Sequence, residues 1–561
     1  MAGDYLTSGA IHFTGLGNGT DFDSIIQAMV KAQSFHKNRL ESWKADWEDK
    51  QTAFQDLNTT LLSLKTHMQS MDKPSEFFVK NVTSTDEDVL TATADSDAAE
   101  GNHLILVNQL AQNKIQTNST GYADPTTVIN STGSDQTIVL NYNGKAAVTI
   151  TIPDGTTLAG ALNMINKDAD NPGVRASIVS DGSSSYLQMR GMDMGSGATL
   201  SLAGSTLSGY DDTGGNWDVN QANQNAQIRV DGWPISTWIE SDTNTITDAV
   251  EGVSFSLKSI PFGQSNASIT LSIANDNSAI KENVRGFVDK INEVRSELIN
   301  LTKFDENMER GALLQGNYGL QLISTKLKDV TSQKGVGFDY DDDVISTLSQ
   351  IGIMTDAEEG SATRGLLMFD EEIFDEAMKT DPDAVSSFFS AYFSGDTNSS
   401  DFTYDSHISG VTKAGTYAVE YTVDGSGTIT SATIGGQTAS IIGSQMTGPS
   451  GTDMAGLVIN AVNLSAGTYT GEVRLKLGKA GQMVETLDEI TSTVDGPLHI
   501  LEDNYQDIID DIDKKIDYET DRITRMERMT RSRFARLEST LSYYDSMMKS
   551  LDSQISSLSS K

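Results

Sequence analysis

The sequence predicts an α+β, multidomain chain: helices from the two termini form a coiled-coil or helical-bundle stalk, β-rich domains form a head, and a further β domain is inserted between helical segments. Three observations carry this reading. Both ends keep an apolar spacing of alternating threes and fours. The middle is written in short β-type runs separated by Gly, Asn, Thr and Ser. At 561 residues the chain exceeds what one core supports, so roughly three to five domains are expected.

From Phe534 the apolar positions are Phe534, Leu537, Leu541, Tyr544, Met548, Leu551, Ile555 and Leu558, the seam of a helix that pairs with another helix. Near the start, Leu40, Trp43, Trp47, Phe54, Leu57, Leu61, Leu64, Met68 and Met71 keep the same rhythm, with Lys50 as the polar residue on the line. Each stretch needs a long apolar partner, and each is the candidate partner of the other. The expected assembly positions are therefore Phe534, Leu537, Leu541, Tyr544, Met548, Leu551 and Ile555, with Leu57, Leu61 and Leu64 opposite them.

A formal net charge of −38 argues against nucleic acid or an anionic membrane as a partner, because long-range repulsion opposes both. One basic patch interrupts this: Arg522, Arg525, Arg528, Arg531, Arg533 and Arg536 line a few turns of the C-terminal helix. It reads either as a solvated face pairing with acidic neighbours along the stalk or as a docking surface for an acidic copy or partner. The absence of cysteine excludes disulfides, thiol catalysis and zinc-thiolate sites. The N-terminal residues lack the basic and apolar regions of a cleaved signal peptide. No apolar run reaches the ~20 residues of a membrane span, so a soluble chain without membrane insertion is expected.

In chain order, the Gly15-Leu16-Gly17-Asn18-Gly19 run has no strand ahead of it and reads as a flexible lead-in, not a phosphate loop. Thr20 with Asp23 suggests a capping box for a short helix whose apolar face is Ile25, Ile26, Met29 and Val30. The helical pattern stops at Pro74. β-type runs follow at Val79, Val82, Val89-Leu90 and Leu104 to Val107, and Val148 to Ile152 running into Pro153-Asp154-Gly155 reads as a hairpin-like unit. Helical spacing returns over Ile280 to Leu298, Tyr318 to Val330 and Glu372 to Met378, and β texture returns at Tyr417 to Tyr421, Ile429 to Ile434 and Val473 to Leu477. The expected partition is 1–20, a flexible segment; 21–73, N-terminal stalk helices; 74–275, the head, with a motif at 148–200; 276–398, a helical leg; 399–480, an inserted β domain; and 481–561, the C-terminal coiled-coil helix.

Thr157 to Asn166, Gly173 to Val179 and Tyr186 to Met189 resemble the flagellin hook-IN motif of bacterial flagellar axial proteins. The β-helix-β order is also sound physically, with Leu158, Leu162 and Ile165 on one helical face and Val174, Ala176 and Ile178 alternating along a strand. Further stretches resemble the flagellar filament cap protein family, also called hook-associated protein 2: Gly15 to Asp21 (with Asn18 and Thr20 departing from its pattern), Val107 to Gln112, Asn244 to Asp248 with Gly252 to Leu257, Gly311 to Leu314, and above all Leu348 to Ile353, Leu366 to Asp370 and Asp381 to Val385 ahead of Phe388-Phe389.

This resemblance implies a structural protein at the distal tip of the bacterial flagellum, extracellular and exported by the flagellar type III route without a cleaved signal. Implied partners are other copies of itself in a ring-shaped homo-oligomer, a pentamer; flagellin; the hook-filament junction protein; and an export chaperone at the C-terminal helix. Two alternatives are a surface adhesin using the head or inserted domain, and another flagellar axial junction protein. An enzyme is not expected and no cofactor is implied. The six histidines are scattered singly. Asp339, Asp341 and Asp343 imitate a calcium loop, but Val344 replaces its glycine and Gln350 its closing glutamate.

Overall fold

In the computed structural model the described residues are 21–262, 264–305 and 310–559. The glycine-rich lead-in Gly15–Gly19, the Thr20 cap and the expected segment 1–20 lie outside them, as does the side chain of Leu558. The chain divides into two compact units, one of Lys73–Asn283 and the other of the residues up to Asp72 with those from Val284 onward.

The unit Lys73–Asn283 holds two β cores. The first joins a five-stranded sheet, in the order Lys80–Ser84, Ala267–Asn275, Gly101–Gln109, Ala226–Val230 and Ile239–Ser241, to a three-stranded sheet of Thr245–Val250, Val253–Leu257 and Leu90–Ala94. Strand Ala267–Asn275 shows the pattern: Ile269, Leu271 and Ile273 are buried while Ser268 and Thr270 face out, as a period of two requires. Between Gln109 and Ala226 the chain leaves this sheet and builds the second core, then returns; Gln112 and Gln224 bridge the outgoing and returning strands.

The second core contains the motif seen in the sequence. Helix Leu158–Lys167 is capped by Thr157, whose hydroxyl accepts from Gly160 N at 3.1 Å, and it buries Leu158, Ala161 and Ile165. Leu162 is half-buried, so Ala161 takes the inner position expected for it. Strands Val174–Ser180 and Ser185–Gly191 pair antiparallel, Ile178 opposite Leu187. One expectation needs correction. Val148–Ile152 does not form a hairpin forward through Pro153; it pairs backward with Gln136–Tyr142, Ile150 opposite Ile138. The turn is Asn143-Gly144, with φ of 51° and 66°, the left-handed pair that fits a two-residue hairpin.

In the other unit, helices Phe22–Gln33 and Phe35–Gln69 lie against the C-terminal helix Pro497–Ser559. Asp21 caps the first of these, accepting from Ser24 N at 3.1 Å. Its buried face is Phe22 and Ile26; Ile25 and Met29, expected there, are exposed. The C-terminal segment is not one helix over 481–561. Lys479–Thr491 is separate, and Pro497, which has no N–H to donate, opens the long helix after Ser492–Gly496. Helix Asn277–Thr302, helix Tyr318–Ser332 and the short helices Glu371–Thr380 and Pro382–Ser390 follow along the chain. Phe389 packs edge-on to Phe287 and Phe338 to Phe388.

The inserted domain is a sandwich of a five-stranded sheet (Tyr392–Thr397, Gly467–Leu477, Gly415–Val423, Ile429–Ile434, Gln437–Thr438) and a four-stranded sheet (Phe402–Ser406, Val458–Ala461, Gln445–Thr447, Ser440–Ile442). Its first strand begins ahead of Ser399. Between the sheets lies Tyr421, whose hydroxyl donates to the carbonyls of Asp401 and Asn463 at 2.8 and 2.9 Å.

Lys479 ties helix Lys479–Thr491, which follows the insert, to helix Tyr318–Ser332. Fully buried, its ammonium donates to the carbonyls of Val330, Gln333 and Lys334 at 2.7, 2.8 and 3.2 Å, closing the end of that helix where carbonyls lack partners. Lys479→Met is expected to leave them unpaired and to lower stability by about 1–3 kcal/mol, checked as a shift of the urea midpoint of the full chain.

Candidate assembly surface

The terminal helices meet through a ladder of contacts. Tyr505 takes Trp47 and Phe54 edge-on, with ring centroids at 5.1 and 5.3 Å. Gln51 Nε2 donates to Gln506 Oε1 at 3.0 Å, and Lys44 Nζ meets Asp513 Oδ2 at 2.7 Å. Higher up, Arg522 donates to Gln33 at 3.1 Å, Arg531 to Asp23 at 2.7 Å, and Phe22 lies 5.1 Å from Phe534. Numbers fall along one side as they rise along the other, so the pairing is antiparallel.

The carboxylate of Asp513 raises the Lys44 ammonium above its ordinary pKa, and Asp23 with Glu527 does the same for the Arg531 guanidinium. These pairs are half-buried at the edge of the contact and select its register. The aromatic contacts and the buried Ile509, Ile512 and Ile523 supply the adhesion.

This register corrects the expected pairing. Leu57, Leu61 and Leu64 are fully buried, but they lie beyond the Trp47–Tyr505 contact, on the stretch whose Lys65 pairs with Asp488 of helix Lys479–Thr491. They do not face Phe534 to Leu551. The residue facing Phe534 is Phe22, and among the described residues nothing lies opposite the seam beyond it. Leu537, Tyr544, Met548, Leu551 and Ile555 are 44%, 58%, 70%, 54% and 55% exposed, and Leu541 is half-buried. A row of large apolar side chains left in water marks an interaction surface.

Sequence reasoning missed Tyr505 and Phe22. The signal was present: Tyr505, Ile509, Ile512 and Ile523 are buried and extend the Phe534 seam toward the start of the helix at the same spacing.

The other candidates fall away from any such surface. Asp339, Asp342 and Asp343 are held by Lys334 at 3.1 Å, Arg474 at 2.5 Å and Lys476 at 2.7 Å. Among the described residues no cluster of histidine and carboxylate side chains is placed to hold a metal. Among the described residues His103 contacts Asp231 at 2.8 Å and His407 the Tyr404 hydroxyl at 2.7 Å.

The family models for the N-terminus and the C-terminus of flagellar hook-associated protein 2 match residues 18–114 and 223–446. Between them the flagellin hook IN motif matches residues 137–190, opening at strand Gln136–Tyr142. The chain belongs to the flagellar hook-associated protein 2 family.

The A-type flagellar hook-associated protein 2 of Pseudomonas aeruginosa is 29% identical over 412 residues, covering 68% of this chain and 80% of that one. Flagellar hook-associated protein 2 of Escherichia coli strain K12 is 28% identical over 395 residues, covering 67% and 79%. A crystal structure of the flagellar cap protein of Escherichia coli overlaps 60% of this chain and 90% of its own at 27% identity, with a TM-score of 0.49. The family is one of structural flagellar proteins, not a known family of enzymes. The exposed seam lies beyond residue 446, outside the matched segments.

Phe534→Ala is expected to release helix Phe22–Gln33 from the C-terminal helix. Full burial of a phenylalanine is worth 3–5 kcal/mol, and half-burial suggests about 2 kcal/mol here; hydrogen exchange of amides 22–33 should accelerate accordingly while the β cores stay protected.

Proposed function

We propose that this chain caps the distal end of the bacterial flagellar filament as a ring-shaped homo-oligomer, where it holds exported flagellin until each subunit folds and inserts. Membership of the hook-associated protein 2 family supports the location at the flagellum. The observation that carries the assembly reading is the seam Leu537 to Ile555, apolar, regularly spaced and solvent-exposed in the single chain. Leu541, Tyr544, Met548 and Leu551 are the positions assigned to contacts with neighbouring copies or with flagellin.

The mechanism needs no catalytic group. It needs a β head at the tip and helical legs that release one at a time as subunits join. Legs held by a few aromatic contacts and edge ion pairs open at lower cost than a wide apolar interface. The ring is taken as a pentamer. The hook-filament junction protein, at the start of assembly, and an export chaperone on the C-terminal helix are the remaining partners in this reading, with export by the flagellar type III route. The domain roles proposed are stalk for 21–73 and 481–561, head for 74–275, leg for 276–398, and a separate inserted body for 399–480.

Deletion of the gene in its host tests the role. Short or absent filaments with abundant monomeric flagellin in the medium are expected; normal filaments with lost surface attachment would overturn the cap reading in favour of an adhesin. Leu541→Asp with Leu551→Asp is expected to weaken self-association at least about tenfold, since seam charges oppose helix pairing, with the melting of the β domains unchanged. Sedimentation at micromolar concentration reads the first effect and calorimetry the second.

A further inference from the structure

Strand Val148–Ile152 is the outer strand of a three-stranded sheet in the second core of Lys73–Asn283, paired on one side with Gln136–Tyr142. What its other side presents follows from the hydrogen bonds of that neighbour. Thr137 and Val139 give their N–H groups to the hydroxyls of Thr206 and Ser205 at 2.8 and 2.9 Å, so they face away from Val148–Ile152. Ile138 and Leu140 therefore face toward it, opposite Ile150 and Val148. Backbone polar groups alternate sides from one residue to the next along an antiparallel strand. Those of Thr149 and Thr151 point outward, and among the described residues nothing pairs with them. Both residues are exposed.

Sheet edges are usually guarded against further pairing by charge, proline or a bulge. In the same unit the edge strands Lys80–Ser84 and Val174–Ser180 each carry a cation, and Trp217–Gln221 is bulged. Val148-Thr149-Ile150-Thr151-Ile152 has none of these devices, and its register with Gln136–Tyr142 is unbroken. Beside it lies a groove of about 520 Å³, with Lys145 to Thr149 along one wall and Asp168, Asp170 and Pro172 along the other. The Lys145 ammonium is held by the Pro172 carbonyl at 2.6 Å. Asp168 accepts the Asp170 N–H at 2.9 Å, and among the described residues neither carboxylate has a cation. Unpaired backbone groups and uncompensated negative charge thus stand side by side.

We propose that Val148–Ile152 is a docking edge for an extended polypeptide segment, which joins the sheet as a further strand and sets a lysine or arginine against Asp168 and Asp170. Backbone hydrogen bonds at Thr149 and Thr151 give the affinity, and the carboxylates select the sequence. A second copy fits the groove badly: its own edge is uncharged, and its net charge of −38 opposes approach. A segment of β-branched residues with a single cation fits well, because it extends readily and answers the charge of the groove. The inference goes beyond the cap reading and uses none of it.

The full chain is tested with a labelled peptide, Thr-Val-Lys-Val-Thr-Val-Thr, capped at both ends. Binding read by fluorescence anisotropy is expected, with slowed hydrogen exchange over residues 148–152. The fully N-methylated peptide, which has no N–H to donate, should bind about tenfold more weakly or worse. Thr149→Pro removes an outward N–H without touching the ladder to Gln136–Tyr142, and its ring blocks the approach, so a loss of about tenfold is expected. Asp168→Asn with Asp170→Asn should weaken binding about threefold and abolish its salt dependence between about 50 mM and about 500 mM. No binding at about 1 mM peptide overturns the proposal. Equal binding of the N-methylated peptide does so too, and decides the matter on the wild-type chain should Thr149→Pro unfold. Unchanged affinity in the double Asn variant overturns the selection of a basic segment. Protection of residues 148–152 that grows with protein concentration, in the absence of peptide, makes a second copy the occupant and overturns the assignment. A deletion strain with normal filaments would sink the cap reading and leave this binding as it is.

Discussion

The register of the terminal helix pair is the constraint on which the rest of this structure depends. Tyr505 seated on Trp47 and Phe54 fixes one end and Phe22 against Phe534 fixes the other. Once these contacts are made, antiparallel geometry leaves no freedom about what else meets. Lys44 must find Asp513, and Arg531 must find Asp23. Leu57, Leu61 and Leu64 are drawn into a buried position beside the start of the C-terminal segment. Among the described residues nothing lies opposite the seam past Phe534, and the register that buries the earlier part leaves its side chains exposed.

Two of the β bodies are insertions, the second core of Lys73–Asn283 into the sheet of the first and the sandwich between helices Pro382–Ser390 and Lys479–Thr491. Each leaves and re-enters through neighbouring strands: the second core through Gln112 and Gln224, and the sandwich through Tyr392–Thr397 and Gly467–Leu477, which pair directly. An insertion whose two ends are adjacent closes its loop at low entropic cost and leaves the host elements in place. At the exit of the sandwich, Lys479 converts the end of one helix into a docking point for the next. That contact holds helix Lys479–Thr491 in position before the chain turns at Pro497 into the long helix.

Periodicity made the elements legible but not their partners. The strands around Val107, Ile150 and Val473 and the helices at Tyr318 and Glu372 announce themselves by spacing alone, because burial on one face writes itself into a period of two or of 3.6. Pairing does not. Leu57 and Leu551 share a rhythm, and nothing in rhythm says that one is buried against a different helix while the other remains in water. Asn143-Gly144 did carry a pairing signal, a left-handed two-residue turn, and with Ile138, Leu140 and Tyr142 ahead of it the hairpin was recoverable. The lysine at 479 carried none: a buried ammonium facing three backbone carbonyls depends on where a distant helix ends.

The C-terminal helix thus has two faces with different physics. On one, apolar side chains lie in water beyond Phe534, where their removal from solvent is favourable by about 25 cal/mol for each Å² covered and is indifferent to salt. On the other, exposed charges, Asp507 and Asp510 with Lys514 and then Arg525 and Arg528, act over about 10 Å at moderate ionic strength and discriminate by sign. Burial is strong but accepts many partners and many registers, since a row of leucines and methionines repacks readily; charge is weak but rejects a misaligned partner through like-sign contact. A helix carrying both can bind through the first and be positioned through the second.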